Sequence, residues 1–330
     1  MEKTKQNILQ LFWLVLFFVL AVILFGAWLA NGSFSYSVFI VGVVIAGWLG
    51  VFAGAYYALG KVQASLYKFK YIILAAFLGV LALVYGAMAV PLQQTLVGDL
   101  GDIYKGAVIW TVQGNSEAFE SFRTYFYVYP NNLGLFVVLQ GLFRLLYRFG
   151  AENFYFAAVA LNIVSILAGV LFLFLYVDET YGTRKAVFAL VLFAGYLPMY
   201  FFSSVFYTDT MCFAFLPAVL YINKKAGACK NTKKRILLYA VMALTAALGY
   251  QIKPTVYIVT MAVLLETLFT EGIKPLCTKL VCFAVALAAI NMLLNVYIYD
   301  VEKFADRAAM QENAIPATHW IMMGLNADGD

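Results

Sequence analysis

Four residues in the sequence have side chains suited to moving a proton or holding a phosphate group. Asp99 and Asp102 lie three residues apart in the segment 97–107, so a helical turn would place both carboxylates on one face. A carboxylate beside apolar surroundings can act as a general base. Asp209 and Lys253 stand at the ends of apolar runs, where a lysine can neutralise a phosphate. Each also has a structural explanation, because aspartates often cap helices and lysines at helix ends often extend toward water.

Several further residues are candidates for the same site, but each is a weaker indication by itself. Lys105 and Arg123 are additional cations that could hold a phosphate, and Tyr129 precedes Pro130 in an aromatic stretch. His319 is the only histidine, so a metal site with several histidine ligands cannot be built from this chain. The sequence predicts no metal site and requires no cofactor, and it leaves dependence on a divalent metal open.

The elements that must position these residues are membrane-spanning helices. Hydrophobic residues make up 64% of the 330 residues and charged residues only 12%, against about 25% charged in an ordinary soluble domain. This composition excludes a soluble enzyme, and basic loops explain the net charge of +5 better than nucleic acid as a partner. We expect an all-α polytopic membrane protein with about nine transmembrane helices in the lipid bilayer, at 8–30, 36–59, 71–90, 154–177, 185–206, 211–222, 236–250, 255–269 and 280–299.

One apolar segment, 133–149, decides the sidedness of everything after it. It carries Arg144 and Arg148 about one helical turn apart. If the segment lies flat on the membrane, most basic residues, including the cluster 224–235, fall on the cytoplasmic side; if it crosses, that cluster falls outside. We therefore predict an interfacial amphipathic helix in a first large outer loop. The candidate residues then face the extracytoplasmic side of the plasma membrane.

The predicted organisation has four parts. Residues 1–90 form three transmembrane helices, the first of them a retained anchor rather than a cleaved signal peptide. Residues 91–152 form the extracytoplasmic loop with the candidate base and juxtamembrane helices, and residues 153–299 form a six-helix transmembrane core. Residues 300–330 form an outer C-terminal segment, and the sequence leaves open whether further residues follow Asp330.

In their order and predicted sidedness, these motifs resemble the membrane-embedded GT-C glycosyltransferases. The outer loop opens with an aspartate, a Tyr-Pro segment leads into the interfacial helix, and an outer Thr-Asp and an outer Lys-Pro follow. The chain looks most like the bacterial family-39-type group, which includes protein O-mannosyltransferases and the lipid A aminoarabinose transferase, and 319–325 is similar to Gram-positive members. It departs from the pattern in having three spans before the outer loop and no counterpart of the later spans or outer domain.

The resemblance implies an inverting glycosyltransferase that moves a sugar from a polyprenyl-phosphate donor to an acceptor hydroxyl. The acceptor would be an envelope polymer, a glycolipid or a protein at the outer membrane face. Asp99 matches the catalytic base, and Asp102 competes for that role. Lys253 would stabilise the leaving phosphate, with Lys105 and Arg123 as further cations. The other positions that match the donor side of the family pattern are Asp209, Tyr129 and His319.

Two other functions use the same groups without this chemistry. A transporter or flippase for lipid-linked sugars would bind the phosphate and move it across the bilayer. A non-catalytic assembly subunit would keep the fold alone. Charged residues are nearly absent from the middle of the predicted spans, whereas ion-coupled transporters usually carry ionisable groups there, and this favours the enzyme.

Overall fold

The computed structural model describes residues 37–93 and 95–316, and every regular element among them is helical. The helices are α1 (Ser37–Lys61), α2 (Gln63–Ala89), α3 (Gly98–Gln113), α4 (Glu120–Val128), α5 (Leu133–Tyr147), α6 (Tyr155–Tyr181), α7 (Thr183–Ala194), α8 (Pro198–Phe202), α9 (Thr208–Met211), α10 (Phe215–Ala228), α11 (Thr232–Ile252), α12 (Tyr257–Thr270), α13 (Ile273–Asn295) and α14 (Arg307–Asn313). Short 3-10 helices cover Glu117–Phe119, Pro130–Asn132 and Pro254–Val256, and a π-helical turn covers Val296–Val301. The predicted span 8–30 and His319 lie outside the described residues.

Within those residues, four helices are long and apolar enough to cross a bilayer. They are α2, α6, α11, and α13 together with its π-helical turn. Helix α12 and the 3-10 turn before it form a shorter apolar helix, Pro254–Thr270. These five elements overlap the predicted spans 71–90, 154–177, 236–250, 280–299 and 255–269, and α1 overlaps 36–59. The total of about nine transmembrane helices stays a prediction.

The predicted spans 185–206 and 211–222 are wrong as continuous helices. Helix α7 ends at Ala194, and α8 begins at Pro198 after a short turn. A proline inside a helix removes a hydrogen bond and clashes with the carbonyl four residues earlier, so one helix does not run through it. The second span is interrupted between α9 and α10, and Pro217 lies in the first turn of α10, where its missing N–H has no intrahelical partner to lose.

By its internal contacts the chain divides into Met1–Tyr57 and Ala58–Asp330. Of the first part, the structure describes residues 37–57, which make up most of α1. In the second part, α2 and α7 pack against α6 around buried apolar side chains that include Tyr85 and Phe174. Helices α10 and α11 are joined by a short loop and pack side by side, and α13 packs on α11. This helix bundle carries the polar groups described next.

Polar and charged contacts collect at the two ends of the bundle. The first, here called the Lys279 end, holds contacts of Lys279 with Asn223, Thr267 and Glu271, of Lys70 with Asp178, and of Lys225 with Glu179. The other, here called the Lys253 end, holds Asp99, Asp209 and Lys253. Helix α11 has 21 residues and runs between them, a length of about 30 Å. The charged residues at the Lys279 end are those that the sequence assigns to the cytoplasmic side. Those at the Lys253 end are assigned to the opposite side.

Helix α5 begins and ends at the Lys253 end. Near its start, Gly134 lies so close to α11 that an added Cβ would come within 1.7 Å of the carbonyl oxygen of Gln251. Near its other end, Arg144 forms an ion pair with Glu302, which directly follows the π-helical turn. Trp110 of α3 also donates to Glu302, at 3.1 Å. Because both termini contact this end, α5 does not run along the bundle to the Lys279 end.

Candidate functional site

The Asp99 carboxylate lies in the first turn of α3 and points to another part of the chain. Gly98 adopts a φ of 58°, a left-handed conformation that glycine tolerates best, and this turns the chain into the helix just before Asp99. The N-cap position is Val97, and no side chain caps α3. Instead the Tyr207 hydroxyl donates to Oδ2 of Asp99 at 2.9 Å. The helix-capping explanation for this aspartate therefore does not apply.

A second tyrosine interacts with the same carboxylate. The Tyr125 hydroxyl on α4 accepts a hydrogen bond from the buried Asn132 side chain and lies within hydrogen-bonding reach of Asp99. Burial and the negative charge of Asp99 raise the pKa of Tyr125 well above its usual value. Burial and the hydrogen bond to Asp99 likewise raise the pKa of Tyr207. Both hydroxyls thus stay protonated at neutral pH, and they can donate to the carboxylate and orient it.

The segment that presents Tyr207 is anchored by buried polar groups. Asn162 of α6, which is fully buried, donates to the carbonyl oxygens of Phe202 and Ser203 at 3.0 and 2.9 Å. The Ser204 hydroxyl donates to the carbonyl oxygen of Leu92, at 3.0 Å. These bonds tie the irregular chain before α9 to α6 and to the end of α2. Tyr207 is consequently held on a fixed backbone although it lies between helices.

Asp209 and Lys253 form an ion pair across two helix junctions. Lys253 follows α11 and precedes Pro254, and its backbone is extended (φ −151°, ψ 120°) because the proline ring disfavours a helical residue before it. The break turns the ammonium group out of the helix line toward the start of α9. Asp209 lies in the first turn of α9, where Tyr207 is the N-cap residue and no side chain caps the helix. This carboxylate, too, contacts a distant residue rather than its own helix.

Tyr207 connects the two aspartates. Its hydroxyl bonds Asp99, its backbone leads within two residues to Asp209, and both carboxylates contribute to its raised pKa. Beside it is a hollow of about 280 Å³ with mostly apolar walls, formed by Tyr196, Met199, Phe202, Val205, Tyr207, Asp209 and Thr210. The Lys253 end therefore brings together a carboxylate held by tyrosines, an exposed ion pair and an apolar hollow. Such a combination can accept a proton, hold an anion and take an apolar chain.

The other predicted site residues are distributed around this cluster. Asp102 is half-buried on α3 and forms no ion pair or hydrogen bond with any described residue. Lys105 lies further along α3 in a separate hollow. Arg123 bonds Glu120, Asn115 and the carbonyl oxygen of Phe304, beyond the far end of α3 from Asp99. The Tyr129 ring packs against Tyr125, at 5.2 Å between centroids. Lys105 and Arg123 are thus not brought to the group formed by Asp99, Tyr125, Asn132, Tyr207, Asp209 and Lys253, here called the Asp99 cluster.

Three residues of the cluster were missed by sequence reasoning: Tyr125, Tyr207 and Asn132. Aromatic residues make up 17% of the chain, so no single tyrosine stands out. The available signal was proximity, because Tyr207 precedes Asp209 by two residues and Asn132 follows the Tyr129-Pro130 pair. Over the ranges that the structure describes, no three His, Cys, Asp or Glu residues are grouped as metal ligands would be.

A family model described as a conserved hypothetical integral membrane protein matches residues 1–330. No curated protein and no solved structure gives a significant match to the chain. The family description names a membrane location and no reaction, so the geometry of the Lys253 end carries the functional argument.

Proposed function

The chain belongs to this family of integral membrane proteins, and we propose that it is a GT-C-type glycosyltransferase that takes a sugar from a polyprenyl-phosphate donor. The acceptor is a hydroxyl group of an envelope polymer, a glycolipid or a protein at the extracytoplasmic face of the plasma membrane. In this proposal the protein crosses the membrane about nine times, and α5 lies at the membrane interface.

The convergence of distant residues at the Lys253 end carries this proposal. Asp99 comes from α3, Tyr207 and Asp209 from the segment at α9, and Lys253 from the junction of α11 and α12. Asp99 and Tyr207 are 108 residues apart and Asp209 and Lys253 are 44 apart, yet each pair is in contact. The same residues supply the base and the cation that glycosyl transfer from a lipid phosphate requires.

In the proposed reaction, the acceptor hydroxyl oxygen attacks the anomeric carbon while the bond from that carbon to the phosphate oxygen breaks. Asp99 takes the proton of the hydroxyl, and Tyr207 and Tyr125 hold the carboxylate in position. The polyprenyl phosphate leaves with the bonding electron pair, and Lys253 stabilises its negative charge. One displacement from the side opposite the phosphate inverts the anomeric carbon.

The ion pair of Lys253 does not prevent this role. The side chains of Lys253 and Asp209 are 27% and 63% exposed, and exposed ion pairs of this kind contribute about 0–1 kcal/mol. An arriving phosphate can therefore replace Asp209 as the partner of the ammonium group at small cost. The neighbouring apolar hollow of about 280 Å³ suits the first isoprene units of the donor.

The decisive experiment compares Asp99→Asn with Asp102→Asn in membranes supplied with radiolabelled polyprenyl-phosphate sugars. Loss of a general base typically lowers the rate by about 10²–10⁴-fold, so we expect a loss in that range for Asp99→Asn and little change for Asp102→Asn. Asp102→Asn is a matched control because it removes a carboxylate from the same helix. A loss confined to Asp102→Asn would reassign the base, and unchanged transfer in both variants would contradict the proposal.

A second experiment tests the role of Lys253 in binding the donor phosphate. We expect Lys253→Ala to weaken binding of the polyprenyl-phosphate donor, and Lys253→Arg to retain it, because the charge is kept. Normal donor affinity in Lys253→Ala would remove its phosphate role. Translocation of the lipid-linked sugar in vesicles, without any transfer by the wild type, would instead favour a flippase.

A further inference from the structure

A second hollow at the Lys253 end is not used by the proposed reaction. Its volume is about 440 Å³, within the usual range for small-molecule sites. It lies between α3, α4 and the segment before α6, and its walls are formed by Tyr104, Lys105, Val108, Ile109, Phe122, Glu152, Asn153 and Phe154. Asp99, Asp209 and Lys253 do not line it. It is thus a separate site, and its ligand must be inferred from its own groups.

The hollow carries one positive and one negative side chain. Lys105 and Glu152 are both exposed, and neither forms an ion pair or a hydrogen bond with any residue that the structure describes. They line one hollow and do not form an ion pair with each other in the structure. A simple anion would be attracted by Lys105 and repelled by Glu152. A molecule with separated positive and negative charges would satisfy both.

Other residues that line the hollow provide polar and aromatic groups suited to a ligand with separated positive and negative charges. Asn153 uses its side-chain oxygen to accept from the N–H of Tyr155, at 3.0 Å, and keeps its amide N–H groups as donors. Burial raises the pKa of Tyr104, so this hydroxyl stays protonated. The aromatic residues Phe122, Phe154 and Tyr104 also line the hollow, and aromatic rings attract ammonium groups.

The position of the hollow indicates where the ligand comes from. Phe154 and Asn153 immediately precede α6, which is long and apolar enough to cross a bilayer. The start of such a helix lies at the depth of the lipid headgroups, where aromatic side chains are enriched. A headgroup can therefore enter the hollow while its acyl chains stay beside the apolar helices.

We propose that this hollow binds the headgroup of a zwitterionic phospholipid of the phosphoethanolamine type, with the phosphate at Lys105 and the amine at Glu152. The bound lipid would lie between the helices of the outer loop and the start of α6. This inference does not depend on the proposed glycosyl transfer, because it uses none of the residues assigned to that reaction in the Asp99 cluster.

The test measures lipid retention by the purified full-length protein, with no sugar donor present. Native mass spectrometry compares phosphatidylethanolamine with phosphatidylglycerol of the same acyl chains. We expect at least about tenfold preference for phosphatidylethanolamine, which corresponds to about 1.4 kcal/mol. Glu152→Lys should reverse the preference toward phosphatidylglycerol, because two cations then face an anionic lipid. The exchanged pair, Lys105→Glu with Glu152→Lys, should restore binding of phosphatidylethanolamine in the reverse orientation.

Two controls keep the outcome specific. Arg148→Glu changes an exposed cation directly after α5 that does not line the hollow, and it should leave the preference unchanged. Glycerophosphoethanolamine, which has the headgroup without acyl chains, should bind much more weakly than the lipid. Equal retention of both lipids by the wild type would overturn the charge-pair argument. Equal binding of glycerophosphoethanolamine and the lipid would overturn the bilayer source.

Discussion

The Asp99 carboxylate accepts a hydrogen bond from Tyr207 and lies near Tyr125, and these tyrosines come from two distant parts of the chain. Tyr125 belongs to α4 and Tyr207 to the segment before α9, and both pKa values are raised, so both remain hydrogen-bond donors. In the proposed reaction, a base held in this way would need no rearrangement when the acceptor arrives. We therefore propose the two tyrosines as positioning residues for Asp99.

We predict that Tyr207→Phe lowers the rate of sugar transfer about tenfold and leaves donor affinity unchanged. The variant removes one hydrogen bond to a carboxylate, and such bonds contribute about 1.5–3 kcal/mol when sheltered and less when exposed. Rates at saturating donor and the donor dissociation constant are the two measurements.

Tyr127→Phe is the matched control for that prediction. The Tyr127 hydroxyl accepts from the backbone N–H of Asp306, at 3.2 Å, on the other side of α4. Its loss should leave the transfer rate within about twofold of the wild type, as for most surface changes. Equal rates in Tyr207→Phe and Tyr127→Phe would show that Tyr207 does not position the base.

At the scale of single residues, sequence reasoning named Asp99, Asp209 and Lys253 as candidates but not the groups that contact them. The acidic and basic candidates stand out because charges are rare in this chain, at 12% of residues. Tyr125 and Tyr207 do not, because the hydrogen-bonding role of a tyrosine depends on what faces it after folding. Their assignment required the packing of α4 and the α9 segment around the start of α3.

At the scale of elements, the contact between α5 and α11 helps to set the position of helices α3 to α5. Gly134 allows α5 to approach the end of α11 more closely than any side chain would permit. Since α3 packs on α5, the same contact also helps to position Asp99 relative to Lys253. The glycine is required here for its size rather than for backbone freedom.

We predict that Gly134→Ala destabilises the protein by more than about 3 kcal/mol, the upper range for overpacking, because the new methyl group would overlap a backbone carbonyl. Gly141→Ala on the same helix has nothing within 4 Å of its Cβ. It should stabilise α5 by up to about 1 kcal/mol, since alanine has the higher helix propensity. Thermal unfolding in detergent measures both. Similar melting temperatures for the two variants would contradict the close approach.

Hydropathy alone does not predict the helix breaks between α7 and α8 and between α9 and α10. Apolar composition predicted continuous helices through 185–206 and 211–222, but Pro198 and Pro217 fall where a new helix starts. Proline conformations were the available signal, and they outweigh hydrophobicity at these positions. The breaks matter for the site because Tyr207 and Asp209 lie at the start of the short helix α9, between α8 and α10.

At the scale of the whole molecule, Lys279 joins the helices at the end opposite to the candidate site. Its ammonium group is fully buried and donates to Asn223, Thr267 and Glu271, so all three of its N–H donors are used. Tyr239 of α11 lies beneath it, with the ring centroid at 5.0 Å. Through this one side chain, contacts connect α10, α11, α12 and α13.

Replacing this lysine by methionine should destabilise the protein by about 3–5 kcal/mol, because it leaves Glu271 and the neighbouring polar groups without their cation. Lys274→Met, on an exposed position of the same helix, should change stability by less than about 0.5 kcal/mol. Denaturation of the two variants in detergent provides the comparison. If Lys279→Met lost no more stability than Lys274→Met, the proposal that Lys279 holds these helices together would be wrong.

The sidedness of the whole chain is tested by labelling single cysteines after the four native cysteines are replaced. Asn115 and Thr232 are both exposed, the first after α3 and the second at the start of α11. We expect a membrane-impermeant maleimide to label Asn115→Cys in intact cells and Thr232→Cys only after permeabilisation. Labelling of Thr232→Cys from outside would invert the predicted topology and place the Lys279 end outside.

Apolar run lengths and scarce charges were enough to establish an all-helical membrane protein and to separate its charged residues into two groups. These properties follow from the cost of placing charge or an unpaired backbone in lipid, which depends on local composition. Tertiary structure alone showed that Asp99 contacts Tyr207, that Lys253 contacts Asp209, and that Lys105 and Glu152 line the same hollow. Such pairings join residues tens to more than a hundred positions apart, and only the packing of helices brings them together.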